Sequence, residues 1–166
     1  MRIQDKTKLA FEAVPSHRKY RLRLARYAGM AEAIASYLEE EQRETALKML
    51  EIGPGRGRSV RFCQVAGIAD RLEFWGIDKS KHRCQSIYEP SRWELTLGDA
   101  QEGLPYSSAF FDICVCEQVL EHLESPEKVI EEMVRVLRPG GLMIVGVPIF
   151  PPGIAQFRAF AVDKLY

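Results

Sequence analysis

The sequence predicts an α/β fold, an open and doubly wound parallel sheet with helices on both faces. Three observations predict it. Five short apolar runs recur after residue 45, at Ala46–Ile52, Leu72–Ile77, Trp93–Leu97, Phe111–Cys116 and Leu142–Val147. Most are nearly continuous rather than alternating, as strands buried on both faces of a parallel sheet must be. Helical patterns separate several of them, and a glycine-rich turn joins the first run to the first of those helices.

The chain of 166 residues is 46% hydrophobic and 28% charged. That is the range of a globular domain able to bury a core without staples, and it excludes a disordered tail, a collagen or a disulfide-dense scaffold. Lys plus Arg and Asp plus Glu both number 23, so the net charge is zero. This balance gives no global footprint for nucleic acid or an acidic membrane. The N-terminal MRIQDKTKLA has no apolar core of a secretory signal. The apolar stretch Pro139–Ala155 carries Pro139, Pro148, Pro151 and Pro152, which argues against a membrane-spanning helix. Cys63, Cys84, Cys114 and Cys116 form no C-x-x-C pair, so no metal site is expected. They read as small buried hydrophobes in a reducing cytoplasm, where the chain is placed.

Three parts are expected: a helical segment over 1–45, an α/β domain over 46–148 and a tail over 149–166. In the first, Met30, Ile34, Tyr37 and Leu38 share one face of a helix over about 19–43, closed by the charged run Glu39–Glu44. Arg58–Ala66 forms the helix after the glycine turn, with Gly67 as a left-handed cap. Lys79–Tyr88 is read as the next helix. Pro126–Arg138 follows, with Ser125 as N-cap, Pro126 at the first helical position, Arg135 and Arg138 in the last turn, and Pro139-Gly140-Gly141 as the stop.

The strongest local signal is Glu51-Ile52-Gly53-Pro54-Gly55-Arg56-Gly57, between a strand and a helix. Glycines there permit a tight turn and let backbone N–H groups approach a ligand. An ordinary βα turn is the plainer alternative. Asp78, closing the second strand, changes the balance: an acid at the carboxyl edge of an open sheet can accept both hydroxyl protons of a ribose. Nicotinamide dinucleotides and S-adenosyl-L-methionine both offer that ribose. The glycine spacing separates them. The dinucleotide fingerprint is G-x-G-x-x-G, whereas Gly53, Gly55 and Gly57 give G-x-G-x-G. An acid at Glu51 suits the ammonium and sulfonium of S-adenosyl-L-methionine better than a pyrophosphate, although Arg56 and Arg58 weigh mildly the other way.

From about Leu47 to Pro148 the chain resembles the class I S-adenosyl-L-methionine-dependent methyltransferases, in particular the small-molecule branch that includes quinone-biosynthesis enzymes. Five ordered pieces carry the resemblance: Glu51–Gly57, Asp78, Gly98-Asp99-Ala100, Leu104-Pro105-Tyr106 with Phe110-Phe111-Asp112, and Arg135–Gly141. The resemblance implies a Rossmann-like sheet in the order 3-2-1-4-5 with right-handed crossovers. It implies that Glu51, Gly53, Gly55, Gly57, Asp78 and Lys79 bind the cofactor. It further implies that the Asp99 side chain faces the adenine amino group and the Ala100 N–H faces the ring. Asp99 could instead cap its own turn, and Asp112 reads as structural.

Two departures shape the expectation. The 18 residues after Pro148 are too few for the family's usual helix and C-terminal β-hairpin, so the Leu142–Val147 edge is expected to be covered by the tail or by a second copy of the chain. Cys116-Glu117-Gln118-Val119 stands where an Asn-Pro-Pro-Tyr-type motif would mark a DNA-base substrate. The expected reaction is therefore methyl transfer to a small-molecule or lipid-like acceptor. A non-catalytic cofactor-binding module is the alternative, and the glycine spacing disfavours a nicotinamide-dependent oxidoreductase. Beyond the fourth strand, Glu117 and Gln118 are candidates for the cofactor's amino-acid end or adenine edge. If a helix begins there, Gln118 and His122 share a face. His122 is the candidate base, weighed against simple packing on the Gly98–Pro105 loop.

Overall fold

The computed structural model describes residues 21–80 and 93–148. Helix α1 (Arg21–Glu41) leads to β1 (Leu47–Ile52), and α2 (Arg58–Ala66) to β2 (Leu72–Asp78). Then come β3 (Trp93–Leu97), β4 (Phe111–Glu117), α3 (Pro126–Val136) and β5 (Leu137–Gly146). The five strands pair in parallel in the order β3-β2-β1-β4-β5, the order that the family resemblance implies.

Alternation along β1 divides the core. Leu47 and Met49 join Met30, Ile34 and Leu38 of α1 and Val60, Phe62 and Cys63 of α2 on one face. Leu50 and Ile52 join Cys114, Cys116 and the α3 residues Val129, Met133 and Val136 on the other. The two central strands are thus buried on both sides, which is why their runs read as unbroken apolar sequence. The stripe Met30, Ile34 and Leu38 is fully covered, so α1 shares the core of the segment that follows it. Arg71 donates to the Leu38 carbonyl at 2.7 Å, satisfying an acceptor that the end of α1 would leave open.

Three local expectations need correction. The helix expected over Pro126–Arg138 ends at Val136, and β5 starts at Leu137 rather than Leu142. Arg138 precedes Pro139, and a residue before proline is driven out of the helical region. The extra length is irregular: Phe111 pairs with Leu137 but Ile113 pairs with Leu142. Ser125 sits at the N-cap but its side chain caps nothing. Gln101 Oε1 instead accepts from the Glu124 and Ser125 N–H groups at 2.9 and 3.0 Å. Lys79 and Ser80 are not helical, and the rest of the helix expected over Lys79–Tyr88 lies outside the described residues, as do Cys84 and the tail from Ile149.

At the amino ends of the strands, Asp112 holds three chain segments together. It accepts from Lys48 N at 2.9 Å, Arg43 Nη1 at 2.9 Å and Arg138 Nε at 2.7 Å. This is the structural role the sequence assigns to it.

Candidate functional site

The carboxyl ends of β1, β2 and β4 meet at the glycine turn. Gly53, Gly55 and Gly57 have φ of 64°, 54° and 64°, a left-handed region costly for any residue with a Cβ. A Cβ at Gly53 would lie 2.6 Å from Val119 Cγ2, and one at Gly76 would lie 2.9 Å from Pro54. The turn is thus pressed between the β4 exit and β2. Gly53 N–H donates to the Ile77 carbonyl at 2.8 Å, anchoring it to β2.

Glu51 lies on the α1/α2 face of β1, 3% exposed. The Ser59 hydroxyl of α2 donates to its carboxylate. Burial pushes the Glu51 carboxyl up to about 7, with Glu117 and Asp78 adding repulsion and Ser59 opposing. Glu117, the last residue of β4, is also buried, and burial raises its carboxyl while Arg26 lowers it. A side chain at Gly146 would overlap the Glu117 carboxylate, so that glycine leaves it room. Tyr27 of α1 stacks on Phe62 with ring centroids 5.8 Å apart. Burial, followed by Glu51, raises its hydroxyl.

Asp78 ends β2 with its carboxylate facing the turn. It accepts from Gly55 N at 3.3 Å and Ser80 N at 2.9 Å, and each oxygen keeps a second lone pair. Asp99 accepts from Gln101 N at 3.0 Å, so it does cap its own turn, and it pairs with Lys79 Nζ at 2.7 Å. Those two contacts hold the Asp99 carboxyl below the usual range. Lys79 therefore meets Asp99 across the ends of β2 and β3, and Ala100 is buried beside them.

The stretch after β4 is not the helix considered from sequence. Gln118 has φ of 59° and its N–H bonds the Gly146 carbonyl at 2.8 Å; only a single 3₁₀ turn, Leu120–His122, follows. A non-glycine residue in that region stores strain that the surroundings must hold. Gln118 and His122 thus do not share an α-helical face, and His122 is exposed. The structure brings together Glu51, the three glycines, Asp78, Glu117 and Gln118. It sets Lys79, Asp99 and Ala100 at the neighbouring β3 edge.

Sequence reasoning missed Arg26, Tyr27, Ser59, Gln101 and Val119. Tyr27 extends the Met30–Ile34 stripe by one turn, and Ser59 stands in the first turn of the helix facing a buried acid, so both left a faint signal. The others meet the site only through tertiary contact. A groove of ≈ 680 Å³ lies at the opposite, amino end of the sheet, lined by Glu44, Asp70, Glu73, Trp75, Trp93 and Glu94 among others, and shares no residue with this site. Among the described residues, no group of three His, Cys, Asp or Glu is placed to hold a metal ion, and no helix is long and apolar enough to cross a membrane. Cys63, Cys114 and Cys116 are buried free thiols. Burial pushes the last two up to about 12.

The family profile described as "Methyltransferase domain" matches residues 50–145, more than half the chain. The chain belongs to this methyltransferase family. An uncharacterised protein of Methanocaldococcus jannaschii is 34% identical over 98 residues, covering 59% of this chain and 43% of that protein. A thiol S-methyltransferase of Mus musculus is 32% identical over 99 residues, covering 57% and 40%. The chain thus spans about two fifths of the length of these curated relatives. The fold matches that of an S-adenosyl-L-methionine-dependent methyltransferase of Thermotoga maritima with a TM-score of 0.59, at 21% identity, over 83% of this chain and 59% of that one. It also matches the CurJ carbon methyltransferase with a TM-score of 0.60, at 17% identity, over 70% and 33%. S-adenosyl-L-methionine is the cofactor that membership in this family implies.

The residues at the glycine turn fit that cofactor. Glu117 Oε2 is buried and has no hydrogen-bond partner among the described residues, the state of an acceptor awaiting a donor. At Gly55 a Cβ would meet nothing nearer than the Gly53 carbonyl at 3.9 Å, so the turn is open at that position, and Asp78 retains acceptor capacity for a ribose.

Proposed function

We propose that this chain binds S-adenosyl-L-methionine at the carboxyl edge of β1, β2 and β4, and that the whole protein transfers the methyl group to a small-molecule or lipid-like acceptor. The observation that carries this reading is the buried Glu117 oxygen without a hydrogen-bond partner among the described residues, beside a left-handed glycine turn and with Asp78 on a nearby strand. In this reading Asp78 holds the ribose hydroxyls. Asp99, Ala100 and Lys79 border the adenine, and Gln118 closes its edge. Glu117, with Glu51 behind it, receives the cationic amino-acid end, and Gly53, Gly55 and Gly57 admit the ligand to the backbone.

The bound cofactor supplies an already activated sulfonium methyl. The protein is left with binding, orientation and exclusion of water, so a dedicated base is optional. His122 is exposed near the exit of β4, where it could take a proton from an acceptor hydroxyl or thiol. The thiol S-methyltransferase among the relatives supports a small nucleophile of that kind, and the quinone-biosynthesis branch stays within the same class. We place the protein in the cytoplasm. Among the described residues no strand pairs with the outer side of β5, where Val145 is 41% exposed and Val147, just beyond the strand, 46%; the tail over 149–166 or a second copy would add there.

The test is transfer of an isotope-labelled methyl group from S-adenosyl-L-methionine to a panel of thiols, phenols and quinols by the full-length protein. Labelled product supports the reading. Tight cofactor binding with no transfer to any acceptor favours the alternative, a cofactor-binding module that acts through a partner.

A further inference from the structure

Arg26 and Glu117 form an unusual pair. Arg26 Nε lies 3.9 Å from Glu117 Oε2, close enough to attract and too far to hydrogen-bond. Both atoms are buried, and neither has a hydrogen-bond partner among the described residues. An ion pair that existed only to hold α1 on the sheet would close to hydrogen-bonding distance, as Arg138 and Asp112 do at 2.7 Å. A half-buried guanidinium whose Nε is enclosed, beside a buried carboxylate, each with an unused bonding position, complements a molecule that carries the opposite charges in the same spacing. An α-amino acid is such a molecule, with an ammonium and a carboxylate on neighbouring atoms.

The position agrees. Glu117 closes β4 next to the glycine turn, where Val119 is pressed against Gly53. Tyr27, adjacent to Arg26 on α1, feels the charges of both Glu51 and Glu117. The geometry points to Arg26 as the residue that receives the carboxylate of the cofactor's amino-acid end, while Glu117 receives its ammonium. This rests on the proposed cofactor reading and extends it to α1, a segment outside the glycine, ribose and adenine motifs.

The guanidinium suits the task because its planar fork can give two N–H bonds to one carboxylate, which a lysine cannot do. The pair also explains itself in the free protein: each charge partly neutralises the other until the zwitterion inserts beside them.

Calorimetry with two ligands tests the assignment and separates it from the reading beneath it. S-adenosylhomocysteine carries the amino-acid end; 5′-methylthioadenosine lacks it and keeps the ribose and adenine. Arg26→Gln should weaken S-adenosylhomocysteine about 10- to 100-fold and leave methylthioadenosine unchanged, since a charge-assisted pair is lost for the first ligand alone. Arg26→Lys should fall between wild type and Arg26→Gln for the first ligand, and it decides the matter by the same comparison if Arg26→Gln does not fold. Equal affinity of wild type and variants for S-adenosylhomocysteine, or equal losses for both ligands, would overturn the role of Arg26. Failure of the wild type to bind either ligand would overturn the cofactor reading itself, and this inference with it.

Discussion

The hydroxyl of Ser59 on α2 donates to the buried carboxylate of Glu51 on β1, spanning the glycine turn that separates them. The bond ties the two ends of the turn together and places an ionisable group where water does not reach it. The Glu51 carboxyl, pushed up to about 7, holds its proton more tightly folded than unfolded. Between pH 4.5 and 7 the folded state therefore binds more protons, and stability falls as pH rises. A shift of that size corresponds to about 3 kcal/mol lost across the window. Glu51→Gln cannot titrate, so its unfolding free energy should fall less steeply from pH 5 to 8. The remaining slope should come from Glu117, whose carboxyl is raised in the same direction. Urea unfolding at several pH values measures both slopes; identical slopes would contradict the burial argument.

Gly53 should tolerate no side chain. Its φ of 64° disfavours a Cβ, and Val119 Cγ2 stands 2.6 Å from where the Cβ would lie. Gly53→Ala is expected to cost about 1–3 kcal/mol from backbone strain and overpacking together. Val119→Ala removes the clash but not the strain, so the double variant should recover part of the loss. A double-mutant cycle by chemical denaturation reads the coupling directly, and strict additivity would show that the two residues do not press on each other.

Asp112 should matter for stability and not for ligand affinity. Asp112→Asn keeps the shape but removes the charge that Arg43 and Arg138 share, at 7% exposure. The expected cost is about 1–2 kcal/mol, since the charge-assisted bonds from Arg43 and Arg138 weaken while both guanidinium groups keep Glu41 as a partner. Thermal melts should show that loss while calorimetry on the folded protein shows unchanged affinity for S-adenosylhomocysteine. A change in affinity with no change in stability would reverse the assignment.

The legible parts of the sequence were those encoded locally. Runs such as Phe111–Cys116 announce a strand covered on both faces, and Gly53, Gly55 and Gly57 announce a turn that needs positive φ. The order of the strands came from resemblance to a family, since nothing local in Trp93–Leu97 says that it pairs only with β2. Where two principles competed, the reading slipped. The stretch Glu117–His122 has helical composition, yet the left-handed Gln118, bonded to Gly146, turns the chain before a helix can form. Arg138 has the charge for a helix C-terminus, but Pro139 moves it into β5. Arg26 and Ser59 were hidden because their partners, Glu117 and Glu51, lie on other elements and only the fold makes them neighbours.

The most direct test of the central claim is calorimetric titration of S-adenosylhomocysteine into the wild-type chain and Asp78→Ala. The wild type should bind, and the variant, folded by circular dichroism, should bind about 10- to 150-fold more weakly. That range follows from losing hydrogen bonds between two ribose hydroxyls and a carboxylate, on the order of 1.5–3 kcal/mol. Equal affinity for the two proteins, or no binding by a folded wild type, would contradict it.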